Sequence, residues 1–540
     1  MISGGPAVTG ASRIGGREAG RGTATFTAVN PRSGRACGTQ FTEATIGEVA
    51  EAAALARATF ERSRQEWDPR DRARFLRAAA ARLRDWRDHL VTIADEETGL
   101  GPTRLTGELE RTCTQLESFG ELLEEGSYVE AAIDVAKADA KPIPRPDVRR
   151  LLVPIGPVAV FTPSNFPLAF GVAGGDTASA LAAGCPVIVK GHPAHPGTSE
   201  LCARALDLAA SETATPAGVL SLLQSRGLEP AQALVQAREI QAVAFTGSQA
   251  AGRAIHDLAA ARPEPIPVFA EMGSLNPVFV GAHAIATRGL QIAQSLATSI
   301  TTGTGQFCTK PGLLIVPDDE AGTAFAREVA ARVAGCAPGV MLYPGLLSAL
   351  TDRLADLTRL RGVERLTPED TAGSSSEALA RTGVVVSTDA ATFLRTPQLQ
   401  EEYFGPVSIV VRTSSAGEMI EVAEQLSGNL TATIHAETSE YDWAAALANA
   451  VSEKVGRVVW NGYPTGVSVT AAMQHGGPYP ASTSAAHSSI GVTAIRRFLR
   501  PVAYQGMPDA LLPPALQDAN PLGIQRLIEG AWTRDVVRAR

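Results

Sequence analysis

Apolar residues recur at helical spacing over residues 46 to 125. They fall three and four positions apart at Phe75, Leu76, Ala79, Leu83, Trp86 and Leu90, and again at Leu105, Leu109, Cys113, Leu116 and Leu123. This spacing collects them on one face of each helix, and such a face packs against a core. We therefore predict amphipathic helices that cover a flat surface, with Cys113 as a core residue.

A different pattern follows three prolines at positions 142, 144 and 146, which fit neither a helix nor a central strand. Short β-branched runs at residues 158–161, 187–189, 219–223 and 242–245 alternate with alanine-rich helical segments. A second alternation of β-branched runs and helical segments begins after Pro277 and ends at about residue 470. Alternating strands and helices predict an α/β fold with parallel sheets wrapped by helices.

Length and composition bound the class of protein. The 540 residues are 45% hydrophobic and 19% charged, which is typical of a globular chain but too long for one core, so we expect two or more domains. A net charge of −8 leaves no basic surface for nucleic acid. The sequence has no apolar stretch of about eighteen residues, so we expect no membrane span.

The cysteines and the first residues bear on the compartment. The six cysteines show no CxxC or CxxH spacing, which argues against a zinc site and a dense disulfide framework. We therefore expect no metal and a cytoplasmic location. Residues 1–24 are rich in Gly, Ser, Ala and Arg and have no apolar core, so we expect a disordered lead-in rather than a secretory signal.

Two residues offer covalent chemistry. Cys308 lies in the segment GQFCT, and Glu271 lies in FAEMGS. A thiol is strongly nucleophilic, and a carboxylate can activate the water that releases a product from sulfur. By itself, a cysteine is more often a small buried hydrophobe, and this glutamate is equally consistent with a strand end.

The segment FTGS at residues 245–248 ends a predicted strand and begins a helix. Such a turn points the backbone N–H groups around Gly247 and Ser248 outward, where they suit a phosphate. The GxGxxG fingerprint is absent, so an ordinary strand–turn–helix is an equal alternative for this segment alone.

Six motifs in the same order resemble those of the NAD(P)-dependent aldehyde dehydrogenase superfamily. They are FTPSNFP at residues 161–167, Lys190, FTGS at 245–248, EMG at 271–273, GQFC at 305–308 and EYFGP at 402–406. One such motif is weak, but six at family-like spacing are specific. The resemblance implies the aldehyde dehydrogenase fold, with a Rossmann-like cofactor domain, an α/β catalytic domain and a small bridging element.

The resemblance also implies the catalytic residues. Cys308 would add to the aldehyde carbon, and the side-chain NH2 of Asn165 with the backbone N–H of Cys308 would stabilise the oxyanion. Hydride would then pass to the nicotinamide, and Glu271 would activate the water that hydrolyses the thioester on Cys308. Without the resemblance, Asn165 would be interpreted as a turn former.

A nicotinamide cofactor is implied in the same way. Glu402 matches the acid that holds the nicotinamide ribose, with Phe404 against the ring, and Lys190 matches the lysine that reaches the adenosine ribose. NAD-preferring members often carry a glutamate at the position of Pro193, so with Lys190 and His192 nearby we expect NADP, with NAD as the alternative. His192 is equally consistent with a plain loop residue. Further residues expected at the cofactor are Thr162, Pro163, Gly247, Ser248 and Met272.

A longer stretch bears on the substrate. Residues 169–186 and 190–198 resemble the bacterial 2,5-dioxovalerate (α-ketoglutaric semialdehyde) dehydrogenases, and NADP-linked long-chain fatty aldehyde dehydrogenases share much of that sequence. Many family members carry GxKxSG near the end, whereas this chain has QHGGPYPAST at residues 474–483. We expect oxidation of 2,5-dioxopentanoate to 2-oxoglutarate, with a fatty aldehyde as the alternative substrate. The substrate-binding residues stay unassigned.

The expected organisation follows from these assignments. We expect a cofactor domain at residues 25–140 and 158–272, a catalytic domain at 273–475, a bridging element at 141–157 and 476–510, and a tail at 511–540. The resemblance implies a homodimer or homotetramer joined through the bridging element. Leucines and isoleucines of the tail are numerous enough to pack on the same subunit or on another.

Three rival functions stay open. A nucleotide-independent cysteine hydrolase would activate Cys308 with His435 or His475 and would not need the cofactor residues. A nucleotide-binding protein without turnover is disfavoured by the joint presence of nucleophile, base and amide. A CoA-acylating dehydrogenase is disfavoured by Glu271, which favours water as the acceptor.

Overall fold

The computed structural model describes residues 6–369 and 376–537. Within them lie fourteen α-helices: α1 (Ile46–Glu66), α2 (Pro69–Asp85), α3 (Arg87–Thr98), α4 (Pro102–Glu125), α5 (Gly175–Ala183), α6 (Pro196–Glu212), α7 (Leu228–Gln236), α8 (Gln249–Ala260), α9 (Ala282–Thr301), α10 (Glu320–Ala334), α11 (Pro344–Leu357), α12 (Ala390–Arg395), α13 (Ala416–Gln425) and α14 (Tyr441–Ser452).

The same residues contain twenty-three strands: β1 (Ser12–Ile14), β2 (Arg17–Ala19), β3 (Thr25–Phe26), β4 (Phe41–Thr42), β5 (Ala132–Asp134), β6 (Val148–Pro154), β7 (Val158–Phe161), β8 (Val187–Lys190), β9 (Leu220–Leu223), β10 (Ala242–Thr246), β11 (Val268–Glu271), β12 (Pro277–Val280), β13 (Leu313–Pro317), β14 (Gly339–Val340), β15 (Glu364–Arg365), β16 (Ala380–Arg381), β17 (Val384–Asp389), β18 (Val407–Thr413), β19 (Asn429–His435), β20 (Val455–Trp460), β21 (Leu499–Gln505), β22 (Arg526–Ile528) and β23 (Ala531–Thr533).

The first sheet has the strand order β11-β10-β7-β8-β9-β1-β2, and its strands β7 to β11 run parallel. Alternate residues enter two different cores. Val158 and Val160 pack under helices α2 to α6, whereas Ala159 and Phe161 pack under α1, α7 and α8. Because both faces are covered, these strands are continuous apolar runs in the sequence. The predicted helices at residues 46–125 do cover a sheet, although Trp86 joins α2 to α3 instead of lying inside a helix.

The second sheet has the order β15-β17-β18-β13-β12-β19-β20 and is parallel except for β15. Phe279 points into a core with α11 to α14, and its neighbours Val278 and Val280 point into a core with α9 and α10. The predicted α/β fold class is therefore confirmed. The two sheets are two separately cored units, as the chain length required.

A third sheet of five strands, in the order β21-β6-β5-β22-β23, lies outside these two units. β6 and β21 pair antiparallel over seven residues, from Val148 opposite Gln505 to Pro154 opposite Leu499. The last two strands come from the tail, and β22 pairs parallel with β5. Leu512, Leu516 and Ile524 share a core with Ile133 and Leu151. The tail thus packs on this third sheet within the same chain, a question that the sequence had left open.

The expectation of a disordered lead-in over residues 1–24 is wrong for the part that the structure describes, which begins at residue 6. β1 pairs antiparallel with β9 and extends the first sheet, and the side chain of Ile14 lies in its core. The buried Glu200 carboxylate accepts hydrogen bonds from the backbone N–H groups of Thr9 and Gly10 at 2.8 and 2.9 Å. Low hydrophobicity misled the prediction, because this segment is held mainly by backbone pairing at a sheet edge. Residues 1–5 lie outside the described part.

Across the described residues, no helix combines the length and apolar character needed to cross a membrane.

Candidate active site

Strands β7, β10 and β11 end side by side and face the second unit across a cleft. The cavity between them has a volume of about 350 Å³. Parallel sheets bind ligands at such carboxyl ends. Every predicted site residue except Lys190 lines this cavity: Cys308, Glu271, Asn165, His192, Thr162, Pro163, Gly247, Ser248, Met272, Glu402 and Phe404.

A tight turn after α9 presents Cys308 to the cavity. Gly303, Thr304 and Gly305 all have positive φ, at 57°, 57° and 64°. A Cβ atom at Gly305 would come within 2.3 Å of the backbone of Gly405, so only glycine permits this close approach. The turn therefore packs directly on the 405 segment and leaves the sulfur of Cys308 partly open to the cavity.

Two amide side chains fix the backbone around the nucleophile. Asn165 Nδ2 donates to the carbonyl of Gln306 at 2.9 Å, and Asn276 Nδ2 donates to the carbonyl of Cys308 at 2.8 Å. An amide NH2 carries two protons. Asn165 therefore retains a second N–H for a ligand oxygen.

Glu271 ends β11 and meets a histidine from a distant segment. His475 Nε2 lies 3.0 Å from Glu271 Oε1 and 3.5 Å from Cys308 Sγ. Ser489 Oγ donates to Oε2 of the same carboxylate. The backbone of this segment is tied to β11, because the N–H of Met272 donates to the carbonyl of Ala481 at 2.8 Å. Cys308, His475 and Glu271 are thus one contiguous set of proton donors and acceptors.

The surroundings set different charge states for the thiol and the carboxyl group. Burial raises the pKa of the Cys308 thiol well above its usual range, and the charge of Glu271 raises it further. Burial also favours the neutral form of Glu271, but His475 and the hydrogen bond from Ser489 outweigh it, so the pKa of this carboxyl is lowered. At neutral pH a thiol therefore lies beside an ionised proton acceptor.

The ligand atoms of Glu271, Cys308 and His475 lie within 4.8 Å of one another. Carboxylate, thiolate and imidazole are also the ligand types of zinc. We expected no metal because the sequence has no CxxC or CxxH spacing, but such spacing cannot reveal ligands that come from three separate segments. The absence of these motifs therefore does not decide whether Glu271, Cys308 and His475 bind a metal.

Gly247 and Ser248 bring the N-terminus of α8 to the cavity. The Ser248 side chain caps the helix by accepting a hydrogen bond from the N–H of Ala251 at 3.3 Å. A helix N-terminus carries partial positive charge and suits a phosphate group. The structure thus provides the strand–turn–helix that the motif predicted.

On the opposite wall, Glu402 is half-buried next to a lysine that the motifs did not assign. Lys310 Nζ donates to the carbonyls of Tyr403 and Val407 at 3.1 and 2.6 Å. Burial raises the pKa of Glu402, and the Lys310 ammonium opposes this rise. A Cβ atom on Gly273 would come within 2.4 Å of Glu402 Oε2, so this carboxylate is closely confined. Neighbouring Glu401 is exposed and pairs with a surface arginine, as a solvated neighbour should.

The predicted NADP residues are placed less favourably. Lys190 ends β8 off the cavity lining, and burial lowers its pKa to about 8 despite the opposing charge of Glu43. His192 does line the cavity, with its ring centroid 5.6 Å from that of His195 and 5.8 Å from that of Tyr343. Burial, with His195 and Lys190, lowers the pKa of His192 well below its usual range. Its neutral imidazole offers hydrogen bonds but no charge to a phosphate.

Sequence reasoning missed several residues of this site. His475 was considered only for a hydrolase, although the QHGG segment that replaces GxKxSG marked its surroundings as unusual. Ser489 and Asn276 carried no local signal. Their roles depend on contacts between segments more than thirty residues apart.

Two facing sheets, with a cysteine and a carboxylate lining a cavity of about 350 Å³ between them, fit the aldehyde dehydrogenase arrangement that the sequence motifs resemble. The aldehyde dehydrogenase family matches residues 18–499 of this chain, which therefore belongs to it. The protein is an oxidoreductase that acts on aldehydes, in a family that uses NAD or NADP.

Two relatives match nearly the whole length of this chain. The chain is 44% identical to α-ketoglutaric semialdehyde dehydrogenase 2 of Azospirillum brasilense over 97% of its length and 99% of the relative. It is 40% identical to α-ketoglutaric semialdehyde dehydrogenase of Acinetobacter baylyi over 97% and 98%. Among solved structures, γ-glutamyl-γ-aminobutyraldehyde dehydrogenase from Burkholderia cenocepacia J2315 superposes with a TM-score of 0.79 at 22% identity, over 93% of this chain and 97% of that one. The last comparison shows the shared fold.

Proposed function

We propose that this enzyme oxidises 2,5-dioxovalerate to 2-oxoglutarate with NADP⁺. The observation that carries the substrate is the 44% identity, over 97% of the chain, to the A. brasilense α-ketoglutaric semialdehyde dehydrogenase. The site supports the reaction type, because nucleophile, proton acceptor and amide donor meet at one end of the cleft.

The side chains act in two stages. Cys308 Sγ bonds to the aldehyde carbon while its proton passes to Glu271, directly or through His475, and Asn165 N–H and the Cys308 N–H hold the oxyanion. When bound, the nicotinamide supplies the hydride acceptor. Loss of hydride leaves a thioester on Cys308. Glu271 releases that first proton to solvent and, ionised again, removes a proton from the water that attacks this thioester. The carbon–sulfur bond then breaks, the carboxylate product leaves, and the sulfur takes up a proton to restore the thiol.

The NADP preference rests on the loop after β8. Pro193 places no carboxylate where a 2′-phosphate would be repelled, and Lys190 is the neighbouring cation. Glu43 accepts hydrogen bonds from the N–H groups of Arg226 and Gly227 at 3.0 and 3.3 Å, so this acid is already engaged by backbone donors. Lys190 would therefore turn toward the phosphate on binding.

The cavity beyond the sulfur favours a short substrate over a fatty aldehyde. Among Cys308, Phe166, Phe170 and Phe307 the free volume is about 20 Å³, which is room for about one water molecule. A short semialdehyde requires a smaller displacement of these rings than a long alkyl chain does.

A cysteine hydrolase would need the pair that Cys308 and His475 form. The same sulfur, however, opens onto the cavity that the predicted cofactor residues line, and the family supports a dehydrogenase. The position of Glu271 beside the sulfur favours water over CoA as the acyl acceptor.

We further propose that the protein is a cytoplasmic homodimer or homotetramer. Its subunits would be joined through the third sheet, which would serve as the bridging element.

The substrate is tested by comparing kcat/KM for 2,5-dioxovalerate, pentanal and decanal with NADP⁺ and NAD⁺, following absorbance of the reduced nicotinamide. We expect dioxovalerate to exceed pentanal by about tenfold to more than a hundredfold, because a charge-assisted hydrogen bond contributes about 1.5–3 kcal/mol. A clear lead for decanal would make the protein a fatty aldehyde dehydrogenase. Three similar values would mean an unselective pocket.

A further inference from the structure

One cation lies in the apolar cavity beyond Cys308. Among the described residues that line this cavity, Arg111 of α4 is the only lysine or arginine. Its neighbours are mostly apolar, namely Phe166, Phe170, Phe307, Val467 and Ile490. An isolated guanidinium among rings and aliphatic side chains is poorly solvated, and burial accordingly lowers the pKa of Arg111.

Arg111 has no acceptor of its own in the described residues. Its Nε is buried without a hydrogen-bond partner, and no described carboxylate lies within ion-pair distance of its guanidinium. Glu108, the acid that influences it most, directs Oε1 to the N–H groups of Leu168 and Ala169 at 2.8 and 3.0 Å. Buried polar groups are nearly always hydrogen-bonded, and this unpartnered donor belongs to a side chain that lines the cavity at Cys308, where a ligand can accept from it.

Aromatic rings fix the position of this guanidinium. Arg111 Cζ lies 5.9 Å from the ring centroid of Phe166 and 5.8 Å from that of Phe170. Phe166 packs edge-on against Phe307, the residue before Cys308, with 5.2 Å between centroids. Cation–π contacts of this kind hold a guanidinium without satisfying its N–H groups.

A second arginine of α4 serves as a comparison. Arg104 Cζ lies 4.5 Å from the ring centroid of Phe307, and its Nη2 donates to the carbonyl of Asn165 at 2.6 Å. Arg104 is therefore committed through Nη2 to the wall of the oxyanion site, and although its Nη1 is buried without a partner, Arg104 does not line the cavity. Arg111 lines the cavity and has no such commitment.

We propose that Arg111 is the specificity-determining residue that binds the distal carboxylate of the substrate. With the aldehyde carbon at Cys308 Sγ, the distal carboxylate would point into the cavity that Arg111 lines, and the rings of Phe166 and Phe307 would contact the carbons between. The planar N–H groups of an arginine match a carboxylate in a bidentate way. This inference rests on the proposed function for its substrate class, a short aldehyde that bears a carboxylate.

The test compares Arg111→Met, which keeps the bulk of the stem, with Arg111→Lys, which keeps the charge. Arg74→Met is the matched control, since Arg74 is a surface residue of α2 paired with Asp71. Each protein is assayed with 2,5-dioxovalerate, succinate semialdehyde, pentanal and butanal. We expect Arg111→Met to lower kcat/KM for the two acids about tenfold to a hundredfold, mainly through KM, and to leave the two alkanals within about threefold. Arg111→Lys should recover part of the loss, and the control should match wild type.

A binding measurement keeps the inference testable if turnover fails for another reason. In wild type, 2-oxoglutarate should slow the alkylation of Cys308 by iodoacetamide, and in Arg111→Met it should not at the same concentration. If wild type prefers the acids and Arg111→Met keeps that preference and the protection, this inference is overturned while the proposed function stands. If wild type prefers the alkanals, the proposed function fails before any variant is made, and the inference fails with it.

Discussion

Cys308 and Glu271 line one cavity but differ in charge at neutral pH. Burial and the neighbouring carboxylate hold the thiol protonated, and His475 with Ser489 keeps the carboxylate ionised. The attack therefore needs a proton acceptor at the moment the sulfur bonds to carbon, and two candidates touch the site. This arrangement allows the two half-reactions to be separated by substitution.

Glu271→Gln keeps the size of the side chain and removes its charge. We expect a burst of reduced cofactor in the first turnover, because His475 still faces the sulfur and the carboxylate that raises the pKa of Cys308 is gone. Steady-state turnover should then fall about a hundredfold to ten-thousandfold for loss of the base. Stopped-flow absorbance measures both phases.

Controls for this prediction use cysteines. Cys308→Ala should give neither burst nor turnover while still binding NADP, and Cys336→Ala should behave as wild type. Wild-type steady-state turnover in Glu271→Gln would show that another group activates the water.

His475→Ala tests the histidine that the motifs did not assign to this reaction. His475 makes the largest contribution to lowering the pKa of Glu271, so its removal leaves only the weaker hydrogen bonds to oppose burial and the pKa of that carboxyl rises. A base whose pKa rises is protonated at higher pH, so the acid limb of the kcat profile should move to higher pH. His283→Ala, an exposed position on α9, is the control. An unmoved acid limb would mean that His475 only fills space.

At the scale of elements, function lies at the carboxyl ends of strands. β7, β10 and β11 place Asn165, Gly247 and Glu271 around one cleft because parallel strands all end at the same edge of the sheet. β8 ends at the same edge, and the loop that follows it carries Pro193. We expect this loop to contact the 2′-phosphate of NADP.

Pro193→Glu should weaken NADP binding more than NAD binding, by about 1–3 kcal/mol, because a carboxylate repels the phosphate. Pro193→Gln introduces a side chain of the same shape without charge and separates repulsion from loss of the proline. Dissociation constants from fluorescence titration of the reduced cofactors measure the effect. Equal losses for both cofactors in Pro193→Glu would show that this loop does not contact the phosphate.

At the scale of the whole molecule, the tail adds the last two strands of the third sheet. The turn between β22 and β23 carries Glu529, which accepts a hydrogen bond from the N–H of Val135 at 2.8 Å. Glu529 also pairs with Arg145 and with Lys137, the latter at 2.9 Å. Hydrogen bonding by Arg145, with that of Lys137, lowers the pKa of Glu529 to about 2.

The sign of the pH effect follows from this lowered pKa. The folded protein holds Glu529 ionised at a pH where the unfolded chain binds a proton, so its contribution to stability is present above about pH 4.5 and is lost toward pH 2. Glu529→Gln should therefore lower the urea midpoint relative to wild type at pH 6, and the difference should shrink at pH 3. A difference that is equal at both values would contradict an ionic role.

Much of this protein could be predicted without its structure. The apolar runs at residues 158–161 and 242–245 indicated two-sided burial in parallel sheets, because each strand is covered on both faces. The order and spacing of the motifs also placed Cys308, Glu271 and Asn165 in one site, and the structure brings their side chains to one cavity.

The tertiary structure alone determined which distant segments contribute side chains to the site. His475 is 167 residues from Cys308, Ser489 is 218 from Glu271, and Arg111 lines the cavity at Cys308 from a helix interpreted as plain core packing. Strand β22 of the tail pairs with β5, and strand β1 near the beginning of the chain pairs with β9, and both partners are far away in sequence. The spacing of apolar residues predicts that one face of an element is buried, because residues at that spacing lie on the same face. It does not predict which segment covers that face, because that depends on packing and pairing between segments that are far apart in the chain.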